Sequence, residues 1–243
     1  MVRGWLESAE LTSAAVARRA GVSASTMHRI LNDIVDPSFG TLYEIALACG
    51  VQIDLTARPL SDWRAAAAAR ALLEGGYAPP SDPGVAAWLE RFPRVAADSG
   101  PVALIKAAAV ASSPLHRPGA ALLHGEVTLA RVASAGDASK GNWAVSGAAG
   151  FYLPSPDAAA PPVTILWCED VRTVTQLLAD TGLRQVQRKD RAAVAVISGE
   201  PELFTGSFAD GIVRYAAPLQ IVLDCIAQGG ALADDAIEEA LTW

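Results

Sequence analysis

Lysine, cysteine and long apolar runs are all scarce in this chain of 243 residues. Three lysines, Lys106, Lys140 and Lys189, stand among 19 basic residues, so arginine carries nearly all the positive charge. The three cysteines, Cys49, Cys168 and Cys225, lie far apart in apolar surroundings, with no CxxC and no Cys/His pair. That spacing excludes a readable zinc site or disulfide framework, and buried free thiols are expected. No window approaches 18 uninterrupted apolar residues, and the start "MVRGWLESAELT" lacks an apolar signal core. A membrane span and a secretory leader are therefore not expected, and a soluble cytoplasmic protein is. Excess positive charge is missing too. A net charge of −7 argues against general coating with nucleic acid but leaves room for a local patch on phosphates.

What the chain has is apolar mass. Hydrophobic residues make up 51%, enough for a real core and against wholesale disorder, although much of it is alanine, as in "WRAAAAARALL".

Near the start, "LTSAAVARRAGVSASTMHRILND" reads as two short helices around a corner at Gly21. Val16, Ala17 and Ala20 before the corner and Val22, Met27 and Ile30 after it form one apolar set at helical spacing. Gly21 can take the positive φ that such a corner needs. Thr12 and Ser23 stand where N-caps belong, and in "DPSFGTLYEIALACG" Thr41 is expected as a third cap, ahead of a stripe of Leu42, Ile45 and Ala46. Ala24, Ser25, His28, Arg29 and Asn32 then face outward. Small residues at the helix start suit entry into a major groove, where Arg and Asn can pair with guanine and adenine edges. Ser13, Ser23, Ser38 and Thr41 lie near helix N-termini, where hydroxyls and amides suit phosphate oxygens.

Over residues 1–56 the pattern resembles the XRE/Cro-type helix-turn-helix family. The resemblance implies a Cro/repressor-like all-α domain with Ser25, His28 and Arg29 over the bases. The electrostatics are muted: residues 1–60 hold five arginines (3, 18, 19, 29, 58) against six acids (7, 10, 33, 36, 44, 54). Few neutralised phosphates mean a shallow salt dependence, so a homodimer spanning two half-sites of a palindromic operator in double-stranded DNA is expected.

Beyond this head, Val51, Ile53 and Leu55 alternate with polar residues and predict a short strand. Ser61 is expected to cap a helix reaching about Leu73, "EGGYAPPSDPG" marks a Gly/Pro break, and "VAAWLERF" is amphipathic. After "ADSGP" a helix is expected near Val102–Ser112. The domains read as 1–58 DNA-binding, 59–100 a helical connector, and 101–243 an α/β unit. In that last unit strands are expected in "NWAV", "VTILWC", "RAAVAVIS" and "GIVRY". Helices are expected after Ser146–Gly147, in "VRTVTQLLADTGL" with Gly182 as its cap, in "PLQIVLDCIAQ" and in "ALADDAIEEAL".

Residues 100–243 resemble the C-terminal region of AbiEi-type antitoxins of type IV toxin–antitoxin systems. The carrying runs are "PLHRPGAALLHGE", "RVASAGDASKGNWAVSGAAG", "VTILWCED" and "RYAAPLQIVLDCIAQGG", the last containing Tyr215, Pro218, Gln220 and Asp224. The resemblance implies an autorepressor whose C-terminal unit opposes a toxin of nucleotidyltransferase type. The succession of strand, Ser-Gly turn, helix and acid-tipped strand is also similar to a minimal nucleotidyltransferase, which makes an enzyme the rival reading. That chemistry needs two carboxylates at i and i+2 on one strand. Glu169 and Asp170 are adjacent and point to opposite faces, and Asp157 is isolated, so the expected fold is a degenerate relative with no metal site and no catalytic residues.

Other candidates are weaker still. His116 and His124 read as solvated loop histidines, and Ser146 lacks the glycine two residues earlier that a nucleophile elbow requires. "SGAAG" has no Lys-Ser/Thr for phosphate. Asp137 reads as a turn cap, and the acids of "DDAIEEA" as a solvated helix face. No cofactor is expected.

Overall fold

Side-chain caps set where most helices begin in the computed structural model, which describes residues 1–161 and 163–242. The chain divides into two units, Met1–Arg58 and Pro59–Trp243. The first holds α1 (Val2–Ser8), α2 (Ser13–Arg19), α3 (Ala24–Leu31) and α4 (Phe39–Ala48). Thr12 accepts from the Ala15 N–H and opens α2; Ser23 accepts from Thr26 and opens α3. At α4 the cap is Ser38, which has the extended backbone a cap needs; the expected cap Thr41 sits three residues inside the helix and donates its N–H to Ser38.

All four helices close alike. One residue past each cap (Glu10, Gly21, Asp33 and Gly50) φ is positive, and the next N–H (Leu11, Val22, Ile34 and Val51) reaches back to a carbonyl of the last turn (Leu6, Ala17, Arg29 and Ala46) at 2.8–3.1 Å. This Schellman ending satisfies carbonyls that the helix leaves unpaired. Glycine meets the positive φ at positions 21 and 50; Glu10 and Asp33 meet it without that freedom. The core between the helices is Val2, Leu6, Val16, Ala17, Ala20, Met27, Ile30 and Ile45.

The strand expected at Val51–Leu55 does not form; residues 51–62 have neither helix nor strand. Alternation alone leaves backbone groups unpaired, no strand among the described residues pairs with this segment, and Leu55 is exposed.

The second unit opens with α5 (Trp63–Leu73) and α6 (Pro83–Ala111). Asp62, not Ser61, caps α5: one carboxylate oxygen accepts from the Arg64 N–H at 3.1 Å and the other from the Trp88 indole at 2.8 Å. The charged acceptor outcompetes the neighbouring hydroxyl, and Ser61 Oγ is buried without a partner among the described residues. The break expected at "ADSGP" is a kink in α6 at Gly100, with φ 77° just before Pro101. Residues 59–100 are not a separate connector, because Ala65–Ala69, Val85 and Phe92 lie in the core of this unit.

There follow β1 (Ala121–His124), α7 (Leu129–Ala138), β2 (Trp143–Ser146), α8 (Ala148–Tyr152), β3 (Thr164–Cys168), α9 (Val171–Asp180), β4 (Arg184–Val186), β5 (Val194–Ser198), β6 (Phe208–Asp210), β7 (Val213–Tyr215), α10 (Pro218–Gln228) and α11 (Gly230–Ala240). The sheet is mixed, in the order β4-β1-β5-β3-β2-β7-β6, with β3/β5 and β2/β7 parallel and the other pairs antiparallel. Central strands β2 and β3 are buried throughout, which is why they read as continuous apolar runs. Alternation sends Trp143 towards α7, where its ring covers Gly136, and sends Ser146 and Trp167 to the opposite face under α10. Any Cβ at Gly136 would stand 2.4 Å from that indole. Strands β1, β4 and β6 and helix α7 were not legible in the sequence, being short or interrupted by small and polar residues. Gly182 lies one residue past the actual cap of α9, Thr181.

Candidate nucleic-acid interface

With Met27 and Ile30 buried, the opposite face of α3 is left to Ser25, His28 and Arg29, all exposed. They stand at i, i+3 and i+4 and so form one contiguous patch. The patch is chemically varied: a hydroxyl that donates and accepts, an imidazole, and a planar guanidinium with five donors. The helix start is narrow, with Ala24 and Ser25 in its first turn. Two serine–threonine pairs build the adjoining turns. Ser23 and Thr26 lie 2.8 Å apart through their hydroxyls, and Ser38 and Thr41 3.0 Å apart, so the same Ser-x-x-Thr device opens α3 and α4.

Asn32 borders this patch, exposed one turn beyond His28. It is the C-cap of α3, its amide donates to the His28 carbonyl at 2.8 Å, and its Oδ1 accepts from Arg3 at 3.4 Å. An asparagine at a helix end has unsatisfied carbonyls within reach, so this exposed side chain also caps the helix. Arg3 is a positioning residue that the sequence did not single out. From α1 its guanidinium donates to the Leu31 carbonyl, with Nε at 2.8 Å, and so sets positive charge at the C-terminal end of α3. No local sequence signal points to it, because its partner is 28 residues away.

Of the residues expected to face phosphates, Ser13 is exposed in the first turn of α2, and Ser23 and Ser38 already spend a lone pair on their caps. Thr41 is half-buried against Ser38. Arg18 and Arg19 are exposed at the end of α2. Burial raises the Cys49 thiol pKa, and the charge of Arg19 opposes that shift.

A family model described as a helix-turn-helix domain matches residues 3–58. The first unit carries a helix-turn-helix region. Within it α3 follows the corner at Gly21. No curated protein and no solved structure matches the chain. The helix-turn-helix model covers less than a quarter of the sequence, so it says nothing of residues beyond Arg58.

In the second unit, the residues that looked most like chemistry are committed to structure. Glu169 accepts from the Asn142 side chain at 2.8 Å and its N–H at 3.1 Å; Asp170 caps α9 through Thr173. These hydrogen bonds hold both carboxyl pKa values below the ordinary range. Asp137 is no turn cap: it lies in α7 and accepts from the Trp143 indole at 2.8 Å. His124 ends β1 rather than occupying a loop, and its Nδ1 pairs with the Arg191 carbonyl. No three His, Cys, Asp or Glu side chains converge as a metal site among the described residues.

Asp224 is a fully buried carboxyl on α10. Its Oδ2 accepts from Ser146 at 2.6 Å and the Trp167 indole at 2.7 Å, and its Oδ1 accepts from Gln220 at 2.9 Å. All three donors are neutral. Burial therefore dominates and pushes the carboxyl up to about 6, with the hydrogen bonds pulling the other way. Beside this hub, a cavity of about 20 Å³ lined by Trp63, Arg70, Tyr77, Trp167 and Gln220 has the size of a water.

Proposed function

We propose that this protein is a sequence-specific transcription regulator that reads double-stranded DNA with Ser25, His28 and Arg29 of α3. The observation that carries this reading is the division of α3 into a buried apolar face and an outward face holding three different hydrogen-bonding side chains. Arginine pairs bidentately with guanine, and serine and histidine adapt to either base edge. Asn32 and Arg3 support the reader by fixing the end of α3. Ser13 and the backbone amides beside Ser23 and Ser38 are the phosphate side of the contact, with Thr41 holding the Ser38 turn. The near-neutral charge of this unit supports a homodimer on a palindromic operator, where two heads add their contacts. Autorepression in the cytoplasm fits that arrangement, and no helix among the described residues is long and apolar enough to cross a membrane.

In this reading the second unit is an interaction unit rather than an enzyme. The engagement of Glu169 and Asp170 supports that over nucleotidyl transfer. An antitoxin role would rest on the run containing Tyr215, Pro218, Gln220 and Asp224. Tyr215, Gln220 and Asp224 are at most 2% exposed and build the core, so they offer a toxin no surface.

Selection and sequencing of bound genomic fragments tests the proposal, with the wild type and a His28→Ala/Arg29→Ala variant. Enrichment of a palindromic site, lost in the variant, is the expected result. Equal recovery of all fragments by both proteins would overturn it.

A further inference from the structure

The sheet has two open edges, and they differ sharply in charge. At one, β6 carries Phe208, Ala209 and Asp210 and no cation. At the other, β4 and the short 3-10 turn that follows it (Lys189–Arg191) carry Arg184, Arg188, Lys189 and Arg191 within eight residues, against one acid, Asp190. All are exposed. Arg188 is paired with Asp190 through two hydrogen bonds, at 3.0 and 2.6 Å, and no ion pair among the described residues joins Arg184, Lys189 or Arg191 to an acid. The nearest acid before this stretch, Asp180 at the end of α9, accepts from Gln176.

Tertiary structure widens the patch. Strand register sets His124 opposite Arg184, and the His124 ring is held by the carbonyl of Arg191. Lys189 is close enough to His116 that its charge, after burial, lowers the imidazole pKa. Two of the three histidines thus join the cations of this edge. On the α9 side of the same edge, a groove of about 490 Å³ is lined by Arg172 and Gln185, and by Thr175, whose buried hydroxyl has no hydrogen-bond partner among the described residues.

Edge strands use charge to block pairing with other chains, but β6 shows that this sheet can leave an edge without cations. A run of three unpaired cations in a chain of net charge −7 asks for a polyanion. We propose that the β4 edge is a second contact for DNA, gripping the phosphate backbone of the duplex whose bases the helix-turn-helix reads. The inference rests on the DNA-binding reading and supplies what that reading lacks, since the first unit has little charge of its own to neutralise phosphates. Arginine-rich edges suit the task because guanidinium and phosphate pair bidentately. Residues 51–62 can span at most about 40 Å when extended, so the second unit stays within reach of a duplex held by the first. Tethering makes that second contact effectively intramolecular.

The test is the salt dependence of binding by the full chain. Affinity for the selected site and for a random duplex is measured from 50 to 200 mM salt, for the wild type, for Arg184→Gln/Arg188→Gln/Lys189→Gln/Arg191→Gln, and for Ser25→Ala/His28→Ala/Arg29→Ala. Each phosphate contact contributes about 0.9 to the log–log slope, so losing three lowers it by about 2.7 for each protomer bound; across that fourfold salt range the wild type should lose about 40-fold more affinity per bound protomer than the edge variant. The edge variant keeps its sequence preference, while the α3 variant loses preference and keeps the edge contribution on random duplex. Coincident slopes for wild type and edge variant overturn the proposal and leave the helix-turn-helix reading standing. A wild type that binds random duplex with the edge-dependent slope but prefers no sequence overturns the operator reading alone. No binding of either duplex at 50 mM salt overturns both.

Discussion

Replacing Asp224 by asparagine tests whether the buried hub is architecture or chemistry. The carboxyl binds its proton more tightly folded, at about 6, than unfolded, near the usual 3.8. Below about pH 4 it is protonated in both states and its stabilising contribution is complete. As pH rises towards 6 and beyond, the folded state must hold a charge that only neutral donors solvate, and stability is lost. A gap of about two units corresponds to about 3 kcal/mol, and about half of that is lost between pH 5 and 7.5. Asparagine fits the same space. Its carbonyl can accept from Ser146 and Trp167, and its amide can meet Gln220 once that side chain flips its own amide. Asp82, Glu169, Asp170 and Asp190 have lowered pKa values, so they lose stability as pH falls; both proteins share them, and they cancel in the difference. Urea unfolding of wild type and Asp224→Asn at pH 5, 6 and 7.5 should show the variant gaining on the wild type by about 1 kcal/mol or more over that range. A constant difference between the two proteins across the range would refute the assignment of a strained, uncompensated carboxylate.

The endings of the first unit's helices give a matched pair. Gly21→Ala places a Cβ on a positive φ in open space, so strain alone should cost about 1 kcal/mol, while Glu10→Gly relieves the same strain and, after the entropy of the added glycine, should gain about 0.5 kcal/mol. Hydrogen exchange of residues 1–58 in the full chain reads both, and effects of the same sign would show that backbone strain is not the cause. At the proposed base-reading surface, Arg29→Ala should cost about 1–3 kcal/mol and relax preference at one base position, seen by competition among single-base variants of the selected site. An equal loss on every sequence would make Arg29 a phosphate contact.

Much of the molecule was written locally. Thr12, Ser23 and Gly21 fix the corner because caps and positive φ act within a few residues, and the apolar stripe of α3 fixed its outward face by periodicity alone. The strands β2, β3 and β5 showed as apolar runs because both their faces are covered. The places where the sequence misled are those where a competitor outside the local pattern won. Asp62 displaced Ser61 because a carboxylate is the stronger acceptor and Trp88, far along the chain, donates to it. Val51–Leu55 stayed without a strand because alternation cannot supply a partner. Only the tertiary structure decided that Asp224 is buried among Ser146, Trp167 and Gln220, since burial depends on elements up to 78 residues away. It alone gathered His116, His124 and the cations of β4 and the turn after it on one edge, because strand register is a property of the sheet and no single segment contains it.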